Sequence, residues 1–186
     1  SACCCITYCK RRLRRQPRPK RQSPKKRLPV KPAPSKPSVV MTEVAFHFNA
    51  PDKLAYACRF ARKMSRSGRH LVITAGAALL DELSTRLWSL APQEFLAHAR
   101  ADSPAYVQDA SPLLLLSEPS QIAQIAQPQV LLNLGDQVPV GFERFAHLIE
   151  VVSASDEWDR HQARSRWRDY IQRGYAIVRH DLVLKS

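Results

Sequence analysis

Three arginines near the C-terminal end, Arg160, Arg164 and Arg168, stand four residues apart, with Trp167 beside them and Arg166 and Arg173 nearby. In a helix that spacing places the three guanidinium groups on one flank, next to an apolar stripe of Ala163, Trp167, Tyr170 and Ile171. Like charges at this spacing repel by about 0.2–0.5 kcal/mol, so the row gains most when an anion meets it. A planar guanidinium fork suits carboxylates, and an indole next to it supplies an apolar wall. The ligand implied is acidic with a hydrophobic anchor. The plainer alternative is a solvated basic face whose arginines pair with Asp156, Glu157, Asp159 and Asp169.

The residue types needed for catalysis do not assemble in the same way. Phosphate-cradling loops need clustered glycines, yet Gly68, Gly76, Gly135, Gly141 and Gly174 are scattered. None of the six histidines has a partner at the three- or four-residue spacing of a helical metal pair. No serine occupies a Gly-x-Ser-x-Gly turn, and Cys58 lies within an apolar stripe where burial would keep it inert. Asp136, after a strand-like run, could serve acid–base chemistry, but Gly135-Asp136 reads more simply as a turn. The expectation is a chain with no catalytic site, no metal and no cofactor.

Charge and cysteine divide the 186 residues at about position 40. Residues 1–40 hold 13 of the 29 Lys and Arg, seven of the 14 prolines, Cys3, Cys4, Cys5 and Cys9, and no Asp or Glu. The remaining 16 basic residues face all 16 acidic ones, so residues 41–186 are formally neutral and the net charge of +13 describes the first segment. That segment has too few large apolar residues to fold and is expected to be a disordered basic, proline-rich extension. Three readings compete for it: an arm touching nucleic acid or acidic lipid, a targeting peptide, or upstream sequence from a misplaced start. The last is preferred because Met41 opens the first strand-like pattern. The cysteine cluster lacks a second pair suited to zinc. One later thiol, Cys58, fits a reduced cytoplasmic setting, and no apolar run approaches the roughly 18 residues of a membrane span.

From Met41 strand-like and helix-like segments alternate. Thr42 to Phe48 reads as a strand; Leu54, Ala57, Cys58, Ala61 and Met64 mark a helix; His70 to Thr74 is a buried strand. Leu79, Leu80, Leu83, Leu87 and Leu90 give a second helix. Leu113 to Leu116, Val130 to Leu134 and His147 to Val152 give further strands, with a short helical turn around Phe142 to Phe145. The row of arginines lies on a last helix from about Asp156 to Arg173, stopped by Gly174, and Tyr175 to Arg179 closes the pattern as a strand. Continuous apolar strands imply a sheet covered on both faces. The fold predicted is a single α/β domain over 41–186, with three layers, a mostly parallel sheet and helices on both faces, in a Rossmann-like topology without a nucleotide fingerprint.

Several short segments in this order resemble the chi subunit family of bacterial DNA polymerase III. They are the opening strand with Phe46 and Phe48, the Ser65-Arg66-Ser67-Gly68-Arg69 turn, Leu87-Trp88 at the end of the second helix, and Phe95 with His98 in the following loop. Glu150-Val151-Val152, the helix Ala163 to Tyr170 and Gly174-Tyr175 complete the set. The resemblance implies a non-catalytic accessory subunit of the clamp-loader assembly in the bacterial cytoplasm, which reaches DNA only indirectly. It implies binding of the acidic C-terminal tail of single-stranded DNA-binding protein at Arg164, Trp167 and Arg168, with Arg160 in support. It also implies contact with the psi subunit through Phe95 and, secondarily, Trp88. The segment from Ser153 to Asp156 is shorter than the family pattern, so no tail contact is carried over to it.

Overall fold

Seven parallel strands arranged in the order β3-β4-β2-β5-β6-β1-β7 form one sheet in the computed structural model, which describes residues 41–90, 95–125 and 129–183. The strands are β1 (Glu43–Ala50), β2 (Leu71–Thr74), β3 (His98–Arg100), β4 (Leu113–Leu116), β5 (Val130–Asn133), β6 (His147–Ser153) and β7 (Ile177–Asp181). Between them lie α1 (Lys53–Arg66), α2 (Ala77–Ser89), α3 (Ala105–Ala110) and α4 (Glu157–Gln172), with 3-10 turns at Pro119–Gln124 and Phe142–Arg144. The extension before Met41 and its cysteines lie outside the described residues.

Strand parity divides the core into two layers, because successive side chains point to opposite faces. Ala45, Leu71, Ile73, Leu113, Leu115, Leu132, Ile149 and Val151 pack with the apolar stripes of α1 and α2. Val44, Phe46, Val72, Leu114, Leu131, Leu148 and Val152 pack with Ala163 and Tyr170 of α4, with Phe142 and Phe145, and with Val107 of α3. The continuous apolar strands are therefore buried on both sides, as their sequence required.

Two elements had no sequence signal. β3 is three residues long and α3 six, too short for periodicity to register, and His98 opens β3 where the sequence suggested a loop. β7 starts and ends two residues later than expected, because its register with β1, Val44 to Ile177 through Phe48 to Asp181, decides its ends.

The buried stripe of α4 also differs from the one expected. It consists of Asp159, Ala163, Arg166 and Tyr170, whereas Ile171 is 55% exposed. Two of its members, Asp159 and Arg166, are strongly polar, which is why hydropathy points to the wrong face. Arg166 donates from Nε to Glu150 Oε2 at 2.9 Å and from Nη1 to the Asp136 carbonyl at 3.0 Å. Glu150, fully buried in β6, also accepts from the Tyr170 hydroxyl at 2.6 Å and from Asn133 Nδ2 at 3.0 Å. Asp159 accepts from Lys53 Nζ at 2.9 Å and from the Ser153 amide at 2.7 Å. A buried charge is tolerated when paired and hydrogen-bonded, so these residues lock α4 onto the sheet in one rotational setting.

Candidate functional site

That setting decides what α4 shows to solvent. The helix begins at an Asp156 N-cap, whose carboxylate accepts from the Trp158 and Asp159 amides, and it ends before Gly174 with φ 85. With Asp159 and Arg166 turned inward, Arg160, Arg164, Trp167 and Arg168 are left along the flank that overhangs β1 and β7.

Trp167 is half-buried there. Its ring meets Phe46 edge-on at 4.9 Å between centroids and lies 6.0 Å from Phe48. Aromatic pairs of this kind contribute about 0.5–1.5 kcal/mol each beyond simple burial, so the indole is a fixed platform. Phe48 owes its position to an irregularity at the end of β1. The register with β6 shifts between His47 and Ala50, and Asn49 adopts φ 62, a conformation that asparagine tolerates better than most residues. Asn49 Nδ2 donates to Asp181 Oδ1 at 2.9 Å, and the Leu182 amide donates to the Phe48 carbonyl at 2.9 Å, tying this end of β1 to β7. Hydrogen bonds from the Val183 amide and then from Asn49 hold the Asp181 carboxyl below the usual carboxylate range.

A groove of about 410 Å³ runs between α4 and β7, lined by Phe48, Ala163, Arg164, Trp167, Arg168 and Arg179. Phe48, Arg164 and Arg179 also border a second depression of about 450 Å³, which Ser153, Arg160 and Asp181 help to line. The Arg179 guanidinium lies 5.3 Å from the Phe48 ring centre and 5.9 Å from that of Trp167. It is therefore stacked near the aromatic floor while keeping donors available. Arg160 pairs with Glu157 at 2.9 Å, as the plainer alternative foresaw, but both partners are well exposed and such pairs contribute about 0–1 kcal/mol. Among the described residues no carboxylate pairs with Arg164, Arg168 or Arg179.

A second cluster lies at the far side of the sheet. Trp88 and Phe95, 54% and 73% exposed, are brought together with ring centroids 5.1 Å apart. Trp88 also lies 4.9 Å from the His98 ring, which Ser84 at 2.9 Å and the Leu96 carbonyl at 3.0 Å hold in place. Solvent-exposed aromatic pairs on a rigid support are characteristic of partner contacts.

Residues 41–178 match the family described as DNA polymerase III chi subunit, HolC. A protein named DNA polymerase III subunit chi, from Pseudomonas aeruginosa, is 31% identical over 147 residues, covering 76% of this chain and 98% of that relative. The chain belongs to the DNA polymerase III chi subunit family.

Of the four residues expected from sequence to meet a tail, Arg164, Trp167 and Arg168 line the groove and Arg160 lines the second depression, which shares Arg164 with it; Trp88 and Phe95, expected to meet psi, form one patch. Sequence reading missed Arg179 and the role of Phe48 in the floor. The signal available was parity: Ile177 is apolar and Arg179, two residues on, must share its face and so point toward α4. Arg166, read as lying near the basic row, belongs to the buried pair with Glu150. Among the described residues no group of His, Cys, Asp and Glu is arranged to hold a metal ion, and no helix is long and apolar enough to cross a membrane.

Proposed function

We propose that this chi family member is a non-catalytic cytoplasmic adapter of the DNA polymerase III clamp-loader assembly. It captures the acidic C-terminal tail of single-stranded DNA-binding protein in the groove between α4 and β7, and it binds the psi subunit through Trp88 and Phe95. The observation that carries this reading is the groove's composition. An aromatic floor of Phe48 and Trp167 is bordered by three arginines with no carboxylate partner among the described residues, which is the complement of an acidic segment ending in an aromatic side chain.

The terminal aromatic packs against Trp167, and the tail carboxylates meet Arg164 and Arg168, with Arg160 in support after giving up its exposed pair with Glu157. Titration of the protein with a tail peptide tests this. Arg168→Ala removes a charge-assisted contact of about 1.5–3 kcal/mol, a tenfold or greater loss of affinity. Arg164→Ala should cost more, because Arg164 borders both depressions. Wild-type affinity in both variants would rule out the groove as the tail site.

A further inference from the structure

The neutral total of residues 41–186 hides a strong segregation of charge. α1 carries Lys53, Arg59, Arg62, Lys63 and Arg66, five of the 16 basic residues in that span, and no acidic residue at all. Its buried stripe of Leu54, Ala57, Cys58, Ala61 and Met64 fixes the rotation of the helix, leaving Arg59, Lys63 and Arg66 exposed along the centre of the outer face. Arg69, exposed in the following turn, extends the row. Among the described residues no carboxylate pairs with Arg59, Lys63 or Arg69. Like charges three and four residues apart repel, so this face is relieved by a polyanion lying along it.

An aromatic edge accompanies the charge. Tyr56 and Phe60 stack at 6.0 Å with 20° between their planes on the flank of α1 beside Lys63. Next to them is a pocket of about 180 Å³ lined by Phe60, Arg69, His47, His147, His180 and Glu43, whose carboxylate lies 3.3 Å from His147 Nδ1. A row of cations beside a small, aromatic-walled pocket suits a single strand, whose phosphates follow the charges while an unpaired base enters the pocket. A membrane fits less well, because none of the large exposed apolar residues lies on α1 and nothing there could enter the acyl layer.

We propose that the outer face of α1 contacts the phosphate backbone of single-stranded nucleic acid through Arg59, Lys63 and Arg69, with a base seated in the pocket beside Phe60. α1 lies on the opposite face of the sheet from α4, His180 of the edge strand lining both the pocket and the second depression, and the proposal does not depend on the tail-binding reading. A subunit with both would touch the strand and its coating protein at the same time.

The test uses the full chain and a short fluorescent oligo(dT), with anisotropy recorded over a salt series. Each phosphate contact on a single strand contributes about −0.7 to the slope of log affinity against log salt, so Arg59→Gln/Lys63→Gln/Arg69→Gln should flatten the slope by about 2. Ultraviolet cross-linking of wild type to the oligonucleotide, mapped by peptide mass spectrometry, should mark the peptide containing Tyr56 and Phe60, and this readout stands even if the triple variant fails to fold. Saturating tail peptide should leave oligonucleotide binding unchanged. An unchanged slope in a folded triple variant, cross-links confined to residues 1–40, or displacement of the oligonucleotide by tail peptide would each overturn the proposal. So would a triple variant that loses binding to phosphatidylserine vesicles while keeping its affinity for oligo(dT).

Discussion

Replacing Arg166 by Met would remove the only cation among the described residues that bonds Glu150, while keeping most of the side chain's volume. Glu150 is fully buried and Arg166 is 2% exposed, so water cannot take over the lost bonds. Two charge-assisted hydrogen bonds vanish, at 2.9 Å to Glu150 and 3.0 Å to the Asp136 carbonyl, leaving Tyr170 and Asn133 as the carboxylate's donors among the described residues. Breaking a buried pair from one side costs about 3–5 kcal/mol, a large part of the 5–15 kcal/mol that holds a domain of this size together. Arg166→Met/Glu150→Gln should recover most of the loss, because a neutral amide carries no charge to compensate and its oxygen can still accept from Tyr170. Urea denaturation of wild type, both single variants and the double variant gives the coupling energy directly. A single variant within about 1 kcal/mol of wild type, or a double variant no more stable than Arg166→Met, would refute the claim that this pair anchors α4.

The exposed aromatic patch yields a second expectation: Trp88→Ser/Phe95→Ser should abolish capture of the psi subunit in a pull-down while the tail-peptide affinity and the thermal midpoint stay near wild type, since both rings are more than half exposed. Acid stability gives a third. Burial, then the nearby His180 and Lys63, lower the His47 pKa from its ordinary 6.5 to about 4, and the Tyr56 hydroxyl bonds its Nδ1. Between pH 6.5 and 4 the unfolded chain binds the proton that the folded chain refuses, so stability falls with falling pH across that window. The slope is at most about 1.4 kcal/mol per pH unit and is reduced by solvent screening of the half-exposed ring; His47→Gln should flatten it in denaturation curves recorded at several pH values.

Strands and long helices were legible in the amino-acid order because each has a period that its burial imposes. The continuous runs Leu113 to Leu116 and Val130 to Leu134 could only be strands covered on both faces, and α1 followed from apolar residues at three- and four-residue spacing. The arginine row with its indole was equally visible, since spacing within one helix is local information. Three features needed the tertiary structure. The rotation of α4 is decided by Glu150 and Lys53, distant partners that make Arg166 and Asp159 acceptable inside, whereas hydropathy alone would bury Ile171. Arg179 joins the groove only because β7 pairs with β1 in a register that sets Arg179 beside Phe46, at the α4 face. The short β3 and α3 exist because β4 offers an edge and the core offers a surface, not because three or six residues specify a conformation. Periodicity reports whether a residue is turned inward; which partner makes that burial favourable is a property of chain segments brought together from far apart.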